Sequence, residues 1–303
     1  MRCLVTGGTG FIGSNLVRHL VEAGHEVIIT GHEAEQPLDF FTGKRVFPGL
    51  GGIDWGAVGE IDVLFHQAAM NDTRCMDRAE MMRVNLEDSR GLFRYAVGHG
   101  CRRIVYASST AVYGTNPAPY REAGPFDLNT PYAESKKRVE DVAMDIAEEH
   151  PDVRIVGLRY CNVYGPGEGH KGRRASMIYQ CARRMEYGNP RLFKYGEQRR
   201  DYIYVNDVVR ANMLAAEAET SCIVNCGSGT AVTFNRVVEV LNEVLGRTRR
   251  PEYFDNPYAG NYQDHTQCDM TLAEELIGFV PRHSIEEGIR DYFRSGCLTN
   301  RVD

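Results

Sequence analysis

Basic residues are not in excess in this 303-residue chain: 35 Lys and Arg face 41 Asp and Glu, for a formal net charge of -6. That balance argues against a polyanion partner, because nucleic-acid binders carry a clustered positive surplus. A long apolar run is missing from the beginning. Met1-Arg2-Cys3-Leu4-Val5-Thr6-Gly7 gives one positive charge and then a short apolar stretch that ends in glycine, too short for a signal-peptide core or a membrane span. A cytoplasmic protein without membrane contact is expected. The nine cysteines lack a pattern as well: they are odd in number and scattered, and the close pair Cys222 and Cys226 has no second pair at zinc spacing. Buried free thiols in a reducing compartment are expected, and no metal site. Internal repeats and low-complexity stretches are absent too.

What is present is the composition of an ordinary globular protein, 43% hydrophobic and 25% charged, long enough for a main domain with a smaller lobe. Short β-branched or apolar runs at Cys3–Val5, Glu26–Ile29, Val63–His66, Arg103–Ala107 and Arg154–Leu158 alternate with helical stretches at Phe11–Ala23, Met81–Val97 and Tyr132–His150. That alternation predicts βαβ units, hence an α/β fold with a doubly wound parallel sheet. After about Arg159 the texture changes. Gly165, Pro166, Gly167, Gly169 and Gly172 cluster in a loop, the later elements shorten, and Asp201–Glu219 reads as a return to the main sheet. The expected division is a main domain of residues 1–165 plus 201–228, with a smaller α/β substrate lobe of 166–200 plus 229–303. Ser284-Ile285-Glu286-Glu287 reads as a capping box that opens a last helix.

Gly7-Gly8-Thr9-Gly10-Phe11-Ile12-Gly13 follows the first strand directly and opens the first helix. Glycines there let the backbone turn tightly and approach a pyrophosphate at a helix N-terminus; a tight turn without ligand is the bland alternative. Tyr132 and Lys136 stand four apart at the start of a helix, so phenol and ammonium share one face. Taken alone the pair also suits a solvated helix face. As a catalytic pair, the ammonium and an oxidised nicotinamide would draw the phenol down from its ordinary value near 10 towards that of a working base. The strand at Val105-Tyr106-Ala107-Ser108-Ser109-Thr110 ends in hydroxyls able to hold a substrate alcohol beside that base.

The spacing Gly7-x-x-Gly10-x-x-Gly13 resembles the extended short-chain dehydrogenase family, which has a Rossmann domain, and the resemblance covers nearly the whole chain. It implies a catalytic triad of Ser109, Tyr132 and Lys136, with Ser108 a structural neighbour. It implies a nicotinamide cofactor, NAD(P), held by Gly7, Gly10, Phe11, Ile12, Gly13, Thr30, Gly31, His32, Ala68, Asn85, Tyr132 and Lys136. Many relatives place an acid at the end of the second strand to bind the adenosine ribose. Thr30-Gly31-His32 has none; His32, Lys44 or Arg45 could reach a 2′-phosphate while Glu33 and Glu35 argue the other way, which leaves NAD and NADP both open with NADP favoured slightly. Relatives that dehydrate or decarboxylate carry acids after the triad serine; Thr110 and Ala111 cannot move the proton those reactions need.

Arg159-Tyr160-Cys161-Asn162 and Arg199-Arg200-Asp201-Tyr202 are similar to segments of the nucleotide-sugar branch, which puts Asn162 and Arg200 at a diphosphate. From the residues alone, Arg200 could instead close a salt bridge with Asp201 or Asp207. Gly165-Pro166-Gly167-Glu168-Gly169-His170-Lys171-Gly172, with Ser176 and Tyr262 further on, resembles the ADP-glycero-manno-heptose 6-epimerase family. That resemblance implies substrate contacts by Ser109, Asn162, His170, Lys171, Ser176, Arg200 and Tyr262, and makes Lys171 a second catalytic acid–base. By composition alone a solvated loop lysine or phosphate clamp remains open. Two departures stand out: Arg173-Arg174 replace a small and an apolar residue, and Asn261 stands where Arg is usual. The expected function is epimerisation of a nucleotide sugar through a transient keto intermediate, in a homo-oligomer. An NDP-hexose 4-epimerase, a net nucleotide-sugar dehydrogenase and a non-enzymatic NAD(P)-binding regulator are the rivals.

Overall fold

The computed structural model describes residues 1–31, 38–46, 53, 55–72, 75–257 and 263–299. Its centre is a sheet of β1 (Arg2–Thr6), β2 (Glu26–Thr30), β3 (Lys44–Val46), β4 (Val63–His66), β5 (Arg103–Ser109), β6 (Arg154–Tyr160) and the strand Cys222–Cys226. Spatial order runs from Cys222–Cys226 through β6, β5, β4, β1 and β2 to β3, and every neighbouring pair is parallel.

Strand side chains alternate between two buried faces, as a sheet covered on both sides requires. Cys3, Val5, Val27, Ile29, Phe65, Val105 and Val156 pack with Leu16, Val17 and Leu20 of the helix Phe11–Glu22 and with Val208 and Ala211 of the helix Val205–Ala216. Leu4, Ile28, Leu64, Ile104, Tyr106 and Ile155 face the other way, onto Leu92, Phe93 and Ala96 of the helix Asp88–Gly98 and Val139, Ala143 and Ile146 of the helix Pro131–Glu149. Burying the apolar strands of the sheet on two faces stabilises the fold by roughly 25 cal/mol per Å² of apolar area removed from water.

A third core holds Ile178, Met185, Leu192, Phe234, Val237, Leu241, Ile289 and Tyr292, and takes in Phe11 and Val205 from helices that flank the main sheet. The helix Thr271–Ile277, expected on the smaller lobe, sends Ala273 and Ile277 into the core of the main sheet. The capping box forms: the Ser284 hydroxyl accepts from Glu287 N, and the Glu287 carboxylate accepts from Ser284 N.

Two elements depart from the sequence reading. β3 is a charged edge strand of three residues, Lys44–Val46, with no periodic signal to reveal it. The expected helix Met81–Val97 is an α-helix, Arg78–Met82, then a π-helical turn at Arg83–Glu87, then Asp88–Gly98. Asn85 in that turn accepts from Met70 N at 2.8 Å and donates to Met70 O at 3.0 Å and Ser135 Oγ at 3.0 Å. Turns of this kind occur where a side chain must reach out of the regular helical ladder. No helix among the described residues is long and apolar enough to cross a membrane.

Candidate active site

From β1 the chain runs outward to β2 and β3 and then crosses back to β4 on the other side of β1, which opens a crevice at the carboxyl ends of the strands. The glycine loop lies there. Gly7 has φ +65°, and a Cβ on it would stand 2.8 Å from Ala68 N; a Cβ on Gly13 would stand 2.0 Å from Gly7 O. The loop is therefore packed against the end of β4 and against itself, with no room for a side chain at Gly7 or Gly13. Gly10 caps the helix Phe11–Glu22 without a side-chain hydrogen bond, so the first turn presents main-chain N–H groups. This cradle fits a dinucleotide pyrophosphate.

Thr30 and Gly31 complete the crevice behind the loop. Gly8 N donates to Thr30 O at 2.7 Å, and a Cβ on Gly31 would fall 2.1 Å from Thr9 Oγ1. His32 lies outside the described residues. Arg45 is turned away from the role of a phosphate partner: Nη2 donates to Leu38 O at 2.9 Å, and the guanidinium lies over the Phe41 ring.

Beyond the loop a cavity of about 640 Å³ brings distant segments together. Ser109 ends β5. Thr130 caps the next helix by accepting from Ala133 N at 3.1 Å, and Pro131 occupies its first turn. That fixed start puts Tyr132 and Lys136 on one face, and both line the cavity with Ser109. Ser109 stands beside the Tyr132 phenol and favours its charged form. Lys136 Nζ donates to Ala107 O at 2.8 Å and lies 5.8 Å from the Tyr132 ring centre. The expected downward pull on Tyr132 is not found in the protein alone. Burial raises its pKa and the Ser109 contact offsets only part of this, because desolvation disfavours phenolate and the Lys136 ammonium is engaged elsewhere. Burial lowers Lys136 to about 8, against the opposing field of Glu140.

Ser108 also borders the cavity, but its hydroxyl is spent on Glu140, donating to Oε1 at 2.6 Å. Glu140 also receives two bonds from Arg159, at 2.8 and 2.7 Å, and Arg159 donates on to Tyr113 OH at 2.8 Å. Burial works against the Arg159 charge; the Glu140 contact outweighs it and raises the pKa above the ordinary value. His66 is buried between Thr6 and Ser89, and burial, with the Lys136 charge second, lowers it to about 3. It is neutral and takes no part in acid–base work near neutrality.

Lys171 enters the same cavity from the loop after Tyr164, its Nζ 5.2 Å from the Phe11 ring centre. Burial lowers its pKa, Glu168 opposes the shift and Arg174 adds to it. Ser176 lines the cavity and donates to Glu168 Oε1 at 2.9 Å. Asn162 holds an unusual φ of +39°, with Nδ2 donating to Asp201 O at 2.9 Å and Thr266 Oγ1 at 3.1 Å; such strain is sustained where surrounding bonds over-determine it. Arg200 lines the cavity with its guanidinium over Phe234 and donates to Arg199 O at 2.8 Å.

His170 does not line the cavity; it is exposed, with its ring Nδ1 2.9 Å from Gly167 O. Asn85 is likewise outside it, pinning Met70 to the helix Pro131–Glu149. Tyr262 and Asn261 lie outside the described residues. Sequence reasoning missed Gln67, Asn71, Arg174, Arg191, Phe193 and Phe254 in the cavity wall, since no local spacing marks them. A cluster of Cys161, Asp201 and Cys268 has ligand atoms within 4.8 Å of one another. Asp201 there already accepts from Ser228 N, Ser228 Oγ, Gly229 N and Cys268 N, which accounts for its burial without an ion.

Comparison with known proteins matches this arrangement. The model of the NAD dependent epimerase/dehydratase family matches residues 3–227. ADP-L-glycero-D-manno-heptose-6-epimerase of Alkalilimnicola ehrlichii is 37% identical, over 95% of each protein. Among solved structures, the ADP-L-glycero-D-manno-heptose-6-epimerase of Helicobacter pylori is 31% identical, with a TM-score of 0.87 over 97% of this chain and 96% of that one. The UDP-glucose 4-epimerase of Thermotoga maritima, solved with UDP-glucose, is 29% identical, with a TM-score of 0.87 over 97% and 99%. With the glycine cradle, the Tyr132–Lys136 face and a match over most of its length, the chain belongs to the NAD-dependent epimerase/dehydratase family.

Proposed function

We propose that this protein epimerises a nucleotide-activated sugar by transient oxidation of one carbinol carbon, most like the ADP-glycero-manno-heptose 6-epimerases. The observation that carries the reading is that Ser109, Tyr132 and Lys136 share one cavity with Lys171, which arrives from a separate segment. A bound nicotinamide supplies reversible uptake and return of a hydride, so the inversion leaves no net redox change. Tyr132 exchanges the carbinol proton on one side, with Ser109 holding the hydroxyl and Lys136 anchored by Ala107 O. If the carbonyl carbon rotates to present its other face, the oxygen leaves Tyr132. A second group must then give and take the proton, and Lys171, desolvated and with a lowered pKa, is that group.

Asn162 and Arg200 hold the diphosphate in this reading, Ser176 shapes the sugar site, and the lobe of 166–200 plus 229–303 encloses the substrate. For the cofactor, NADP over NAD rests on the missing acid at Thr30-Gly31, since Arg45 is committed to Leu38. A calorimetric preference for NAD above about tenfold refutes it. All nine cysteines are free thiols, which supports a cytoplasmic setting; a homo-oligomer is proposed through the helical face of Asp88–Gly98 and Pro131–Glu149.

The test is Lys171→Met, followed by reduced-cofactor absorbance and by NMR of product stereochemistry. A catalytic Lys171 gives a fall of roughly 10²-fold or more in epimerisation with little change in substrate affinity. A rise in KM alone makes Lys171 a binding residue and favours the single-tyrosine 4-epimerase.

A further inference from the structure

The likeness of the loop 165–176 to heptose 6-epimerases breaks at Arg173-Arg174, and the structure puts the second of these in the cavity wall. Arg174 Nη1 donates to Asn71 Oδ1 at 3.0 Å. Asn71 lies past the end of β4 and lines the same cavity, so the bond ties the loop to the segment that carries Ala69. Arg174 is exposed at the cavity rim, and this bond turns its guanidinium towards the wall that Asn71 shares. An apolar residue at the same place could not make the bond.

Charge around it is unbalanced. Among the described residues Arg174 makes no ion pair. Lys171, three residues earlier, adds a second cation to the same wall. The carboxylate in the loop, Glu168, is fully buried and already accepts from Gly165 N, Ser176 N and Ser176 Oγ. Two like charges side by side repel, and an anion between or beside them removes that cost. The diphosphate is served on the proposed reading by Arg200, with Arg191 also in the wall. Arg174 is therefore surplus to a neutral sugar.

We infer that Arg174 binds a carboxylate at the outer end of the sugar, so that the substrate class is an acidic nucleotide sugar. A single guanidinium with one edge spent on Asn71 matches a monoanion in charge and in planar geometry. The inference rests on the nucleotide-sugar reading for the rest of the ligand, and it deepens that reading by naming the substituent.

Binding tests it without turnover. UDP-glucuronic acid and UDP-glucose, and the matching ADP pair, are titrated by calorimetry into the full-length protein and into Arg174→Met. The wild type is expected to bind the acid about 10- to 100-fold more tightly than its neutral partner, the scale of one charged hydrogen bond. In Arg174→Met the acid-to-neutral ratio falls to about one. Equal affinities in the wild type overturn the inference. So does an equal loss on both members of a pair, which makes Arg174 a diphosphate ligand. If neither pair binds at all, the nucleotide-sugar reading fails and takes the inference with it. Inversion is scored apart from binding, by NMR on an ADP-heptose, because neither glucose nor glucuronic acid has an invertible side-chain carbinol: if the acid is preferred yet the heptose is not inverted, the epimerase reading fails and the inference stands.

Discussion

Removing the Glu140 carboxylate tests how much of the site rests on buried charge. Glu140 is fully buried and Arg159 is 2% exposed, and their contact is bidentate. Glu140→Ala leaves the Arg159 cation inside the fold with only Tyr113 OH and Glu122 O as acceptors, and it orphans the Ser108 hydroxyl. For charges about 4 Å apart at an effective dielectric near 20, the lost attraction is about 4 kcal/mol. That agrees with the roughly 3–5 kcal/mol seen when one partner of a buried pair is removed. Urea unfolding at pH 7 should show a loss of that size. Glu140→Leu combined with Arg159→Met, which removes both charges, should recover most of it, because the buried cation goes with its partner. A loss below about 1 kcal/mol in the single variant, or a double variant no better than the single, would refute the reasoning.

Tyr132→Phe should lower turnover by roughly 10²- to 10⁴-fold while cofactor fluorescence titration still reports binding; unchanged turnover removes Tyr132 from the mechanism. In Gly13→Ala the new Cβ would lie 2.0 Å from Gly7 O. The clash outweighs the gain of about 1 kcal/mol in helix propensity, so cofactor affinity should drop by more than about tenfold, and retained affinity would contradict the packing. Burial holds Lys136 at about 8, well below the ordinary lysine value of 10.5. The unfolded chain therefore holds more protons between those values, and stability rises with pH across that window. Lys136→Met should accordingly melt above wild type at pH 7, with the advantage shrinking by pH 10. An advantage independent of pH would show that burial does not depress the lysine.

The amino-acid sequence by itself determined what local geometry can carry. Glycines at 7, 10 and 13 after an apolar strand specify the cradle, and at 7 and 13 a Cβ would run into main-chain atoms. Tyr132 and Lys136 share a face because four residues make about one helical turn, and Thr130-Pro131 fixes where that helix begins. The alternation of strands and helices gave the doubly wound sheet for the same reason. Tertiary structure alone decided the rest. The pairing of Arg174 with Asn71 spans 103 residues, and that of Ser108 with Glu140 spans 32. No periodicity predicts such meetings. The π-helical turn at Asn85 depends on Met70 standing across from it. The raised pKa of Tyr132 in the protein alone has the same physical origin: charge and spacing are written in the sequence, whereas burial, the larger influence here, is set by everything that folds around the side chain.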